Sequence, residues 1–75
     1  MEYQHHPGPI ARGKRMAAGV TMTKVAYEIR ADLGRMSRFE KGLANLTPQQ
    51  MERLNVVLDQ VLASKRREIN ALATA

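Results

Sequence analysis

Three observations predict an all-α fold of four to five helices with an extended C-terminal helix. From Ile10 onward, apolar residues recur at intervals of three and four, the spacing that places side chains on one face of a helix. No segment alternates apolar and polar residues in the way of a half-buried strand. Two tyrosines and one phenylalanine are the only aromatic residues, and aromatic residues are enriched in strands.

The first two helices are predicted over residues 10–18 and 22–30. Gly19 is expected to end the first helix, because glycine tolerates the left-handed conformation found there. Thr21 can cap the second helix, whose inward face carries Val25, Ala26 and Ile29. Residues 1–9 contain two prolines and one glycine, which predict a flexible N-terminal tail that includes both histidines.

The third helix is predicted over residues 33–41. Asp32 is its expected N-cap, and Gly42 is expected to close it. Met36 and Phe39 lie on the face that should turn toward the core.

A sharp corner should connect the third helix to the fourth. Thr47, Pro48 and Gln50 form a capping box with proline at the first helical position, so the fourth helix should begin there. Its apolar positions allow it to run to about residue 72. Leu43 and Leu46 are expected to tuck into the core at the corner.

Length, charge and composition limit the function. The chain has 75 residues and a net charge of +5, which favours a polyanionic partner, nucleic acid first and an acidic membrane surface second. It has no cysteine, and His5 and His6 are adjacent in the tail, so no metal, cofactor or small-molecule ligand is expected and we predict no enzyme. No apolar run approaches the length of a membrane span and no signal pattern is visible, so we expect a cytoplasmic protein.

The segment GVTMTKVAYEIRADLGRMSRFEKG, residues 19–42, resembles the helix-turn-helix of the phage-repressor and Cro-like DNA-binding family. The resemblance continues through GLANLTPQQMERLNVVLDQVL and so covers residues 19–62. It implies a helix-turn-helix DNA-binding domain over residues 10–63. The family usually has glycine at the turn where Arg30 stands. Either Arg30 adopts the left-handed conformation at a cost of about 1 kcal/mol, or the turn has a different shape.

The resemblance also implies which residues would meet DNA. The third helix would enter the major groove, where Arg38 could bridge O6 and N7 of guanine. The alternative is that Arg38 pairs on the surface with Glu40 or another acid. Arg12, Lys14 and Arg15 form a further basic cluster near the first helix, and each is either a phosphate contact or an exposed, solvated charge. The expected base contacts are Leu33, Gly34, Arg35, Ser37 and Arg38. The expected phosphate contacts are Thr23, Lys24, Lys41 and Asn45.

A homodimer is expected, because so small a domain has a limited core of its own. Residues 64–75 should form a helical extension that serves as the dimerisation element. The apolar residues expected at the interface are Leu54, Leu58, Val61, Ile69 and Leu72.

Together these features favour a sequence-specific DNA-binding transcription regulator, a repressor of phage-like or mobile-element type that occupies an operator. Its partners would be double-stranded DNA and a second copy of the chain. One alternative is the DNA-binding antitoxin of a toxin–antitoxin pair. Another is a helical protein-interaction module that has lost base reading, which the apolar Leu33 and the bare Gly34 would suit.

Overall fold

The computed structural model describes residues 6–74, and four helices make up this part of the chain. They are α1 (Pro7–Ala18), α2 (Met22–Ile29), α3 (Leu33–Glu40) and α4 (Pro48–Thr74). Both α3 and α4 pack against α1 and α2. The predicted all-α domain with an extended last helix is therefore confirmed. Among the described helices, none combines the length and the apolar character that crossing a bilayer requires.

The predicted N-caps of α2, α3 and α4 are all present. Thr21 Oγ1 accepts a hydrogen bond from the Lys24 amide at 3.1 Å, and Asp32 Oδ2 accepts one from the Arg35 amide at 3.2 Å. At α4 the capping box is reciprocal: the Gln50 amide donates to Thr47 Oγ1 at 3.1 Å, and the Thr47 amide donates to Gln50 Oε1 at 3.0 Å. Each cap satisfies amides that the first turn of a helix leaves without partners.

The first three helices end in the same way, with one residue of positive φ. Gly19 has φ 72° and Gly42 has φ 80°, as predicted, and each is followed by the paired backbone hydrogen bonds of a Schellman motif. Arg30 has φ 61° and ψ 42°, so the turn between α2 and α3 keeps its left-handed residue without glycine. The cost is about 1 kcal/mol. Gln50 Nε2 donates to the Arg30 carbonyl oxygen at 3.1 Å and helps to hold this turn.

Helix α1 begins at Pro7, three residues before its predicted start, so the predicted tail of residues 1–9 is too long. His6 is the reason. Its Nδ1 accepts from the Gly8 amide at 2.9 Å and its Nε2 lies 3.1 Å from the Ala44 carbonyl oxygen, a pair of contacts that the neutral Nε2–H tautomer satisfies. With this cap, Pro7 occupies the first helical position. Residues 1–5 lie outside the described part of the chain.

The core contains Val25, Ile29, Met36 and Phe39, which the helical spacing predicts to face inward. It also contains Leu54 and Leu58 of α4. At the corner, Leu46 is buried as predicted, but the prediction for Leu43 is wrong, because 72% of its surface is exposed. The positive φ of Gly42 turns the chain so that Leu43 points away from the core.

Helix α4 is longer than the body against which it packs. Its 27 residues span about 40 Å at 1.5 Å per residue, close to the largest dimension of the molecule, 44 Å. Every residue from 64 to 72 is exposed. The last third of α4 therefore contributes little to the core of the protomer.

Gly8 marks the closest approach of α1 and α3, because a methyl group there would overlap the carbonyl of Phe39. We therefore expect Gly8→Ala to lower the free energy of unfolding by about 1–3 kcal/mol or more, the usual cost of overpacking. Gly13→Ala is the matched control in the same helix. Apart from the backbone of its own helix and its two chain neighbours, no described residue has an atom within 4 Å of the new methyl group, so Gly13→Ala should raise stability by about 0.8–1 kcal/mol. Thermal or urea unfolding of both variants tests this, and equal stability of the two would contradict it.

Candidate nucleic-acid interface

An ion pair between the partly buried Arg15 and the buried Glu40 fixes the position of α3. Arg15 Nε donates to Glu40 Oε2 at 2.7 Å and Nη2 donates to Oε1 at 3.0 Å, while Nη1 donates to the Val20 carbonyl oxygen at 2.9 Å. Only 4% of the surface of Glu40 is exposed. One guanidinium thus joins α1, the loop that follows α1, and the last turn of α3.

The sequence interpretation missed this pair. The expectation that Arg15 is an exposed charge in one cluster with Arg12 and Lys14 is wrong, because Arg15 pairs with Glu40. A signal was available: Glu40 follows Met36 by four residues and so continues the inward stripe of α3, while Arg15 lies four residues after the buried Ala11. A charged residue on the inward stripe of each helix indicates a buried partner.

The pair leaves Arg38 without the carboxylate that was its alternative partner. The side chain of Arg38 is exposed and makes no hydrogen bond or ion pair with any other residue that the structure describes. Gly34 and Arg38 are four residues apart and so share one face of α3, and Lys41, three residues after Arg38, continues this face at the C-cap of the helix. All three are exposed. This face presents two positive charges beside a bare backbone position.

Arg35, by contrast, is used within the molecule. Its Nη1 donates to the Asn45 carbonyl oxygen at 2.6 Å, which ties α3 to the corner before α4. The His6 ring holds the next carbonyl, that of Ala44. Asn45 and Lys41 therefore lie on a corner that is fixed from two sides, and both side chains are exposed. Arg35 acts first as a support for this corner.

The start of α2 carries the other predicted phosphate contacts. Thr23 and Lys24 are exposed in its first turn. Lys24 Nζ lies 3.6 Å from Glu28 Oε2, an exposed i,i+4 contact of little strength, with the lysine at the less favourable end. Lys24 thus remains able to exchange Glu28 for a phosphate.

The remaining predicted base contacts lie on the flank of α3. Leu33 is 45% exposed at the first position of the helix, and Ser37 is half-buried one turn later. Leu33 can offer only apolar contact, for which the methyl group of thymine is the matching feature of a base edge. Directional polar contact from α3 therefore depends mainly on Arg38.

The predicted dimer residues divide into two groups. Leu54 and Leu58 are 1% and 2% exposed in the core of the protomer, so the prediction that they form an interface is wrong. Helix α4 uses these side chains to pack against α1 and α2. Val61 is half-buried at the edge of the core, whereas Ile69 and Leu72 are exposed. Of the five residues, only these last two are fully available to a partner.

Comparison with protein-family models, with curated proteins and with solved structures finds no match for this chain. The likeness to the phage-repressor and Cro-like family therefore remains a resemblance of sequence pattern.

The buried ion pair generates a stability prediction. Arg15→Ala leaves the Glu40 carboxylate buried and unpaired, so it should cost about 3–5 kcal/mol, a large part of the stability of so small a domain. The double variant Arg15→Met with Glu40→Leu removes both charges and should recover most of the loss.

The control for this prediction is Arg12→Ala, which removes an exposed arginine from the same helix and should change stability by less than about 0.5 kcal/mol. Urea unfolding of the four proteins measures the differences. If Arg15→Ala were as stable as Arg12→Ala, the pair would have no structural role.

Proposed function

We propose that this protein is a sequence-specific DNA-binding regulator that acts in the cytoplasm as a repressor by occupying an operator. The observation that carries the proposal is the exposed side chain of Arg38, which has no partner among residues 6–72, on α3, the second helix of a helix–turn–helix arrangement. In the phage-repressor and Cro-like pattern that the sequence resembles, this helix enters the major groove. Arg38 would then read guanine through O6 and N7.

The charges around α3 support a phosphate-binding role on either side of the groove. Lys41 and Asn45 lie in the corner between α3 and α4. Thr23 and Lys24 lie in the first turn of α2. Lysine contacts to phosphate position a protein on DNA without reading sequence. The amides at the start of α2 and its helix dipole favour an anion at the same place.

One observation favours a second candidate, a protein-interaction module with this fold. Three large apolar or aromatic side chains near α2 and α3 are exposed, with Tyr27 at 82%, Leu43 at 72% and Leu33 at 45%. These side chains suit a protein partner where they join in one patch, since a contiguous apolar surface marks protein interfaces. If the protein shows no preference among DNA sequences near physiological salt but binds another protein, the interaction module is favoured over the regulator.

We also propose that two copies associate through α4 in antiparallel orientation. Beyond the core, Ile69 and Leu72 are exposed. The exposed acids Glu52 and Asp59 lie in the first half of α4, and the bases of the segment 65–67 lie in the second half. None of these charged groups forms an ion pair within the described residues. A two-fold axis that crosses α4 between Asp59 and Arg66 would set Asp59 of each copy beside Arg66 of the other.

The regulator proposal predicts different losses for base and phosphate contacts. Arg38→Ala should weaken binding to the preferred operator by about 1–3 kcal/mol and have much less effect on random DNA. Lys24→Ala or Lys41→Ala should weaken both duplexes alike and reduce the slope of log K against log salt by about one. Fluorescence anisotropy over a salt series measures both quantities. Equal losses on operator and random DNA for Arg38→Ala would assign Arg38 to phosphate.

The association proposal predicts a dimer in sedimentation equilibrium at micromolar concentration. Removal of residues 64–75 should weaken it, and so should Asp59→Arg or Arg66→Asp alone, because each sets like charges against each other across the two-fold axis. The double variant, Asp59→Arg with Arg66→Asp, exchanges the two signs and should restore the dimer. A monomer at all these concentrations for the unchanged protein would refute the proposal.

A further inference from the structure

The N-terminal turn of α3 contains a notch at Gly34. A Cβ atom built on Gly34 would lie 3.0 Å from Asp32 Oδ2 and 3.5 Å from Arg38 Nη1. The guanidinium of Arg38 thus reaches back one turn toward the start of the helix, the direction in which helical side chains lean. We call the space between Asp32, Gly34 and Arg38 the Gly34 notch.

The two charged walls of the notch keep hydrogen-bonding capacity for a ligand. Asp32 and Arg38 form no ion pair with each other or with another described residue, although both approach the space over Gly34. Asp32 Oδ2 accepts the Arg35 amide as a helix cap, which leaves Oδ1 as an acceptor. The guanidinium of Arg38 keeps its N–H donors, because Glu40 is held by Arg15.

We infer that the Gly34 notch reads one G·C base pair, with Arg38 on the guanine, Asp32 on the cytosine, and Gly34 as the specificity-determining gap between them. The inference rests on the proposed binding of α3 in the major groove. In that groove a G·C pair presents the acceptors O6 and N7 of guanine beside the N4 donor of cytosine. The notch presents the complementary set, a donor fork beside a carboxylate acceptor.

Gly34 has a physical reason to be bare in this arrangement. A methyl group at this position would lie 3.0 Å from Asp32 Oδ2, so that carboxylate would have to move by a few tenths of an ångström, and it would be in van der Waals contact with Arg38 Nη1 at 3.5 Å. It would also stand between the backbone of α3 and the base pair. Because the guanidinium of Arg38 reaches back toward the start of α3, the G·C pair lies beside the first turn of this helix. It is about one helical turn (~5.4 Å) from the backbone of Arg38 itself.

The test uses the full chain and the operator chosen by the unchanged protein from a random pool of duplexes. Each G·C pair of that operator is replaced in turn by A·T, and dissociation constants are measured at one fixed salt concentration. The unchanged protein should lose at least about fivefold in affinity at one G·C pair. Arg38→Ala and Gly34→Ala should both lose that discrimination. Gly13→Ala, the same substitution in open space on α1, should keep it.

A second variant covers the case in which Gly34→Ala disturbs the cap of α3. Asp32→Asn keeps a good N-cap but has a single oxygen for both cap and cytosine, so it should reduce discrimination at the same pair. If Gly34→Ala and Asp32→Asn both retain full discrimination, the notch does not read the pair, and the regulator proposal survives. If the unchanged protein selects no sequence at all, the proposed function itself fails and the inference fails with it.

Discussion

The arrangement of the helices depends on the ion pair between Arg15 and Glu40. Removing two charges from water costs several kcal/mol for each ion, and a buried pair is tolerated only when its geometry returns that cost. Here both carboxylate oxygens accept from one guanidinium, whose third nitrogen is held by the Val20 carbonyl oxygen. Those contacts exist together only when α1, the loop after it and the end of α3 are all in place. The orientation of α3 relative to α1 is thus fixed by this ion pair.

The corner after α3 is held by a second group of contacts. His6, 38 positions before Ala44, and Arg35, 10 positions before Asn45, contact the carbonyl oxygens of these two consecutive residues. The His6 ring also packs against Phe39, with centroids 5.5 Å apart, and Gly8 lets α1 approach the backbone there. The residues that would contact phosphate at this corner are therefore carried on a rigid support, which is what a site with defined geometry requires.

Local signals made most of the fold predictable. Caps at Thr21, Asp32 and Thr47 and the ends at Gly19 and Gly42 depend on neighbouring residues only, and the spacing of apolar residues is read in the same short windows. The misses involve long-range partners. His6 looked like part of a solvated tail because its partner Ala44 is 38 positions away, and the bond from Arg15 to Glu40 spans 25 positions. Leu54 and Leu58 were assigned to a dimer because an apolar stripe does not reveal which surface covers it.

Long-range partners also decide which basic residues could bind a polyanion. The net charge of +5 favours a polyanionic partner, but it counts every basic residue alike. In the structure the basic residues differ in the partners that they contact. Arg15 pairs with Glu40, and Arg35 donates to the Asn45 carbonyl oxygen at the corner. Arg53 donates to the Glu28 carbonyl oxygen at 3.4 Å. The side chains of Arg38 on α3 and of Lys41 just after it form no hydrogen bond or ion pair with the part of the chain that the structure describes. The case for nucleic-acid binding therefore depends on a few residues in one place, because only uncommitted donors can exchange water for a base edge or a phosphate.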